Sequence, residues 1–184
     1  MEDRQLIEGC IRGEPTAQKK IYELHAPAMM SVCQRYVKCR ETARDLLHDG
    51  FVKLFTKVHT YSGTGSFNGW MRRIFVTTVL EYLRRNDVLK NSVDIESCEE
   101  QTVELDISIY EHISANELFE SIANLPDIYR TVFNMHAIEG YTHIEIAEEL
   151  EISDATSRTR YARAREMLQK FLKNELKIEN RKLK

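Results

Sequence analysis

At 184 residues, with 42% hydrophobic and 30% charged side chains, the chain matches one ordinary domain or two small ones and excludes wholesale disorder. Only 7 Gly and 3 Pro punctuate it, which argues against a many-turned β-sandwich or barrel and predicts an all-α fold. The net charge of −3 hides an uneven distribution: +5 over 1–90, −9 over 91–120 without one basic residue, and +1 over 121–184.

In chain order, Pro15 after Glu14 suits a helix start, because proline at the first helical position gives up no available bond. Ile21, Leu24, Ala28, Val32 and Tyr36 then recur as a helical stripe. A second helix is predicted from Glu41 to about Val58, burying Leu46, Leu47, Val52, Leu54 and Phe55. It sets Asp45 and Asp49 on one face at i, i+4. The Gly/Ser loop from Tyr61 to Trp70 follows, with Ser66 as N-cap of a third helix, Phe67 to Arg85. This helix carries Trp70 and Ile74 beside Arg72, Arg73, Arg84 and Arg85. Rings next to cations and a loop suit single-stranded nucleic acid, where bases stack and cations track the backbone.

The acidic stretch has neither helical nor strand period and is predicted to be a flexible, solvated linker over 91–115. It can serve as a spacer or lie in a basic groove as a negative strand. Two small helical domains, 1–90 and 116–184, flank it.

Beyond the linker, Leu118, Ile122, Leu125 and then Ile128, Val132, Met135 sketch two short helices around Pro126, ended by Gly140-Tyr141. Thr142-His-Ile-Glu145 is a capping box. The helix it opens runs to Leu150 and is expected to bury Ile146, Ala147 and Leu150. The three residues Glu151-Ile152-Ser153 separate it from a second helix that Ser153 can cap, which makes a helix-turn-helix. The second helix is basic: from Ser153 to Lys173 there are 6 basic and 2 acidic residues. Thr156, Arg158, Thr159 and Arg163 lie on or near the side that enters a major groove, where Arg grips guanine or phosphate.

Several functions are unsupported. The four cysteines, Cys10, Cys33, Cys39 and Cys98, form no C-x2-C pair and read as reduced thiols, with no metal expected. No apolar run approaches the ~18 residues of a membrane span. The first residues lack the layout of a secretory signal, so the expected location is cytoplasmic with no membrane insertion. The six histidines are scattered, and no paired acid and base, phosphate loop or nucleophile motif marks an enzyme; no catalytic residue or cofactor is expected.

Taken together, these motifs resemble those of bacterial RNA polymerase sigma factors of the extracytoplasmic-function (ECF) group, over nearly the whole chain. Asp45-Leu-Leu-His-Asp-Gly-Phe51-Val-Lys-Leu-Phe55 resembles the region 2 helix that holds the polymerase. Phe67-Asn-Gly-Trp70-Met-Arg-Arg-Ile74, running on to Arg85, resembles the promoter-melting helix and the loop before it. Gly140 to Leu150 and Thr156 to Arg165 resemble region 4. The resemblance implies that the chain binds core RNA polymerase, at its clamp coiled coil and flap, through Asp45, Asp49, Phe51 and Phe55. It implies capture of the melted −10 element by Phe67, Asn68, Trp70, Arg72, Arg73, Thr77, Arg84 and Arg85. Region 4 would read the −35 element of promoter DNA through Ser153, Thr156, Arg158, Thr159, Arg160 and Arg163. An anti-sigma factor is implied by the family only. Three positions depart from the family pattern: Glu151 where the turn often has Gly, Ser157 where Val is usual, and Thr77 in place of Asn. An autonomous helix-turn-helix regulator is the rival reading, and it leaves the lobe around Trp70 without a role.

Overall fold

The computed structural model describes residues 2–86 and 115–182, with side chains over 4–86 and 117–173. It forms two compact units, Met1–Leu83 and Arg84–Lys184. All regular structure among the described residues is helical. None of the described helices is long and apolar enough to cross a membrane.

The first unit is built from α1 (Glu2–Ile11), α2 (Pro15–Tyr36), α3 (Arg40–Lys57), a 3-10 turn at Val58–Thr60, and α4 (Phe67–Arg85). Proline opens α2 as expected, and its N-cap Glu14 makes no side-chain cap bond. Ile21, Val32, Cys33 and Tyr36 of α2 are buried with Leu46, Leu47, Phe51 and Leu54 of α3 and Phe75, Val79 and Leu83 of α4. Burial on this scale, at roughly 1.5–3 kcal/mol per large apolar side chain, holds three long helices together without elaborate capping. Gly50 lets α3 approach α4: a Cβ there would stand 2.8 Å from Phe75 Cζ, nearer than real side chains tolerate.

One core assignment is overturned. Val52 is 52% exposed. Helical period identifies a stripe, but the true inward face of α3 runs through Ala43, Leu46, Leu47, Gly50, Phe51 and Leu54, and Val52 falls outside it. Phe55 is only half-buried. Leu24 and Ala28 of α2 are likewise exposed. Cys10 and Cys33 are buried free thiols. Burial pushes the Cys33 thiol up to about 12 and raises that of Cys10 too, which keeps both in the unreactive thiol form. Cys98 lies outside the described residues.

The second unit contains α5 (Ala115–Asn124), α6 (Asp127–Phe133), which runs into a π-helical turn at Asn134–Ile138, then α7 (His143–Leu150) and α8 (Asp154–Lys182). The predicted linker at 91–115 lies outside the described residues except for Ala115, which is the first residue of α5. Ile122, Leu125, Ile128, Tyr129, Ala164 and Leu168 form the core, with Leu118, Phe133 and Phe171 packed against it. Arg130 is buried inside this small unit. Its guanidinium donates to the carbonyls of Ala123 and Leu125, at 3.1 and 2.9 Å, and pairs with Asp127. It thereby satisfies carbonyls at the end of α5 that the helix itself leaves without partners. Gly140, at φ +79°, ends the π turn as its sequence position suggested.

Candidate nucleic-acid interface

In the second unit, α7 and α8 make the expected helix-turn-helix, and local chemistry explains both helix starts. The capping box is complete: Glu145 N–H donates to Thr142 Oγ1 at 3.2 Å, and Thr142 N–H donates to Glu145 Oε2 at 2.8 Å. Ser153 Oγ accepts from Thr156 N–H at 3.0 Å and so caps α8. Between them, Glu151 adopts φ +54° and ψ +44°, alone among the described non-glycine residues in having positive φ. Ile152 N–H then reaches back to the Ala147 carbonyl at 3.0 Å. Ile146 and Leu150 are buried as expected, whereas Ala147 is only half-buried.

Ser157 points inward and is fully buried, followed on the same stripe by Ala164 and Leu168. At about 100° per residue this inward direction fixes the others. Thr159 lies nearly opposite Ser157, Arg158 lies on one flank, and Thr156, Arg160 and Arg163 lie on the other. Arg158 and Thr159 are exposed, whereas Thr156, Arg160 and Arg163 are partly covered. The Arg158 side chain is 60% exposed and donates to Asp154 Oδ2 at 2.8 Å. That hydrogen bond, with the charge of Asp154, raises the Arg158 pKa further and sets the guanidinium at the start of the helix. Arg163 is different: its side chain is 19% exposed and bonds Glu166 at 3.3 Å. Glu166 also accepts from Lys170, a bond that holds its carboxyl below the ordinary carboxylate value, aided by Arg163.

In the first unit, Ser66 Oγ accepts from Gly69 N–H at 3.0 Å and starts α4 at Phe67 as expected. The loop before it is tied internally. Tyr61 Oη donates to the Gly65 carbonyl at 2.8 Å, and Ser62 and Thr64 share a hydroxyl bond at 2.6 Å. Three rings form a continuous surface here: Phe67 stacks on Trp70 with centroids 5.7 Å apart, and Tyr61 meets Phe67 at 5.3 Å and Trp70 at 5.4 Å. Asn68, Arg72 and Arg73 are exposed beside it, Thr77 is half-buried on the next turns, and Arg84 and Arg85 end the helix. A cavity of about 240 Å³ opens beneath the loop, lined by Leu6, Ile7, Ile21, His25, Ser66, Phe67 and Asn68. The sequence reading took Tyr61 only as the start of the loop, although an aromatic six residues before the helix start was its available signal.

On α3, Asp45 and Asp49 are exposed one turn apart. Val52 shares their face, since the i, i+4, i+7 spacing spans about 60°. Phe51 is only 3% exposed and supports this face from beneath. Its ring contacts Tyr22 at 4.6 Å, Phe55 at 5.9 Å and Phe75 at 5.1 Å. Phe51 therefore shapes a surface and does not itself present one. The displaced Val52 and the half-exposed Tyr22 supply the apolar part. Among the described residues no cluster of three or more His, Cys, Asp or Glu could hold a metal ion.

These features define a two-lobed helical protein with a ring-lined loop in one lobe and a helix-turn-helix in the other. Residues 21–88 match the family model for sigma-70 region 2, and residues 115–168 match that for sigma-70 region 4. An ECF RNA polymerase sigma-E factor of Haemophilus influenzae is 28% identical over 181 residues, covering 92% of this chain and 94% of the relative. The ECF RNA polymerase sigma-E factor of Escherichia coli strain K12 is 25% identical over 178 residues, covering 91% and 93%. The fold is shared with the sigma factor RpoE of Bartonella quintana, solved with the anti-sigma factor NepR, at TM-score 0.52 and 20% identity over 84% of this chain and 96% of that one. It is shared also with CnrH, solved with the cytosolic domain of CnrY, at TM-score 0.52 and 18% identity over 95% and 99%. The chain belongs to the ECF group of the sigma-70 family. Matches in both lobes disfavour the autonomous helix-turn-helix regulator, which accounts for only one of them.

Proposed function

We propose that this chain binds core RNA polymerase and directs promoter-specific initiation, with each lobe reading DNA in a different state and the polymerase carrying out the chemistry. The observation that carries this reading is the pairing of a region 2 lobe and a region 4 helix-turn-helix in one chain. The −35 element would meet α8 as duplex. Arg158 and Thr159 would approach bases, while Ser153, Thr156, Arg160 and Arg163 line the flank nearer the phosphates. The −10 element would meet the first lobe as an unpaired strand. Phe67 and Trp70 offer ring faces, Asn68 offers an amide, and Arg72, Arg73, Arg84 and Arg85 track phosphates. Thr77 is shorter than the amide that the family pattern places there, which shifts base preference at one position and leaves the fold intact. Asp45, Asp49 and the Val52 surface would dock on basic and apolar groups of the polymerase clamp, and region 4 on its flap. The acidic stretch would thread a basic channel of the same enzyme, and all of this takes place inside the cell. An anti-sigma factor is a further expected partner, by analogy with the complexes in which the two structural neighbours were solved.

The experiment is transcription reconstituted with core polymerase and start-site mapping. The wild-type chain is expected to direct discrete starts. Reversing both acids (Asp45→Lys with Asp49→Lys) should weaken core binding at least tenfold with unchanged far-UV circular dichroism. Unaltered affinity would make these acids an ordinary solvated face.

A further inference from the structure

A major groove has a phosphate backbone on each side, yet Ser153, Thr156, Arg160 and Arg163 all serve one flank of α8. The other flank carries Arg158 and Asp154, and His143, the first residue of α7, stands close enough to feel both of their charges. The His143 ring is held from several directions. Its Nδ1 lies 2.9 Å from Oγ of the buried Ser157. One face stacks on His136 of the π turn, with centroids 4.2 Å apart and planes 20° from parallel. Tyr161 of α8 meets the ring edge-on at 5.7 Å. His136 is itself fixed, with Nδ1 2.8 Å from the Tyr141 carbonyl and its ring 4.6 Å from Tyr161. The two nitrogens of an imidazole point apart, so a ring that turns Nδ1 inward to Ser157 turns Nε2 outward. Nε2 has no hydrogen-bond partner among the described residues and is open to solvent.

We propose that His143 binds a backbone phosphate on the Arg158 side of the −35 element through Nε2–H, and that Ser157 is the positioning residue that aims its ring. The inference rests on the assignment of α8 to the −35 element. The donor is present in either protonation state. The buried Ser157 hydroxyl has no other acceptor among the described residues, so it donates to Nδ1 of the neutral ring, which places the ring proton on Nε2. Towards an imidazolium Ser157 Oγ accepts instead, and Nε2 again carries a proton. The first helix of a helix-turn-helix crosses the DNA backbone while the second enters the groove, which sets the start of α7 over phosphates. The positive end of the α7 dipole adds to the attraction. Neighbouring carboxylates are already engaged: Asp154 accepts from Arg158 at 2.8 Å, and Glu145 accepts from the N–H and hydroxyl of Thr142 at 2.8 and 2.9 Å. Valine, usual in the family at the Ser157 position, has no hydroxyl to orient an imidazole. The aim of His143 is therefore a feature of this chain, and a contact on each flank of α8 keeps the helix from rolling in the groove.

The test uses holoenzyme reconstituted with core polymerase and promoter duplexes in which one −35 phosphate at a time is replaced by an uncharged methylphosphonate. His143→Asn keeps a polar atom near the Nδ1 position for Ser157 and removes the distal donor. Wild type should lose roughly three- to tenfold in affinity at one phosphate on the Arg158 side. His143→Asn should bind the natural duplex weaker by about that factor and lose nothing further at that phosphate. The ratio of its affinities for an intact and a scrambled −35 element should stay at the wild-type value, because a phosphate contact carries no base information. His143→Gln, whose amide keeps a distal N–H, should recover binding and the sensitivity. Ser157→Ala keeps the ring without its aim. It should show a smaller loss at the same phosphate, and it carries the test should His143→Asn not fold. The same methylphosphonate profile in His143→Asn as in wild type, or a loss confined to the intact −35 duplex, would overturn the phosphate contact. A full wild-type loss in Ser157→Ala would overturn the aiming role. Failure of wild-type holoenzyme to prefer the intact −35 duplex would instead overturn the assignment of α8.

Discussion

The two lobes reach stability by different means. In the first, α2 and α3 begin on Glu14 and Cys39, neither of which offers a side-chain oxygen to the first turn, and long helices close on a broad apolar core. In the second, almost every turn has a polar device: Arg130 under α5, the Thr142–Glu145 box, the Ser153 cap and the His143–Ser157 bond. Helix length gives the reason. Three of the second lobe's four described helices, α5, α6 and α7, run ten residues or fewer, so this unit has more backbone ends for each buried apolar side chain, and satisfying those ends matters more. The same contrast suits the tasks proposed. A strand-capturing lobe can leave rings and a loop at its surface, whereas a helix that enters a groove must be held at a fixed angle.

The largest test of this contrast exchanges a polar device against a packing contact. Arg130→Leu should cost the second lobe roughly 3–5 kcal/mol, because it strands the carbonyls of Ala123 and Leu125 and the Asp127 carboxylate. Gly50→Ala should cost the first lobe about 1–3 kcal/mol, since Phe75 must leave its place against α3. The chain's single tryptophan, Trp70, reports unfolding of the first lobe by fluorescence. Arg130→Leu should leave that transition in place and shift the remaining circular dichroism signal; Gly50→Ala should do the reverse. A shift of both transitions by either variant would mean that the lobes do not unfold independently.

Which of these features the sequence discloses follows from their range. The capping box and the Ser66 cap are i, i+3 events, so residue identity and spacing suffice. The helix-turn-helix is legible for the same reason, as is the start of α2 at Pro15. The Arg130 clamp is not, because which carbonyls lack partners depends on how α5 ends against α6. Nor is the histidine stack, which forms only when the turn at Gly140 folds His136 back over His143. Val52 failed in the opposite direction. Periodicity proposes an apolar stripe, but only packing against α2 and α4 decides which edge of that stripe faces out. Phe51 was expected at an interface from the family resemblance, and Arg163 from its place on the predicted recognition helix. Burial and the Glu166 pair give both a larger internal role.

The next test sharpens the contrast within α8. Arg158→Ala removes an exposed guanidinium beside the base-facing side and should cost about 1–3 kcal/mol of promoter affinity, with relaxed preference at one −35 position. Arg163→Ala should act more weakly and uniformly across sequences, reducing the salt slope by at most about one unit, since Glu166 already engages its guanidinium. Base substitution at each −35 position in holoenzyme binding separates the two. Equal and sequence-specific losses would mean that Arg163 leaves Glu166 to reach a base.

The smallest expected effect lies in the turn. Glu151 holds a left-handed backbone that costs an ordinary L-residue about 1–2 kcal/mol, and its side chain is exposed. Glycine adopts that conformation freely but loses more backbone entropy on folding, roughly 0.5–1 kcal/mol relative to Ala. The difference predicts that Glu151→Gly stabilises the second lobe by about 0.5–1 kcal/mol. The rise in its midpoint should be a few degrees, with the Trp70 transition unmoved. Glu151→Ala separates the backbone effect from the loss of the carboxylate, because alanine keeps the strain and removes the charge. If Glu151→Ala stabilises the lobe as much as Glu151→Gly, repulsion from neighbouring Glu148 and Glu149 is the cost being relieved. If only glycine does, the lobe that invests most in polar devices also tolerates strain at its turn, and the caps on either side hold that turn in place.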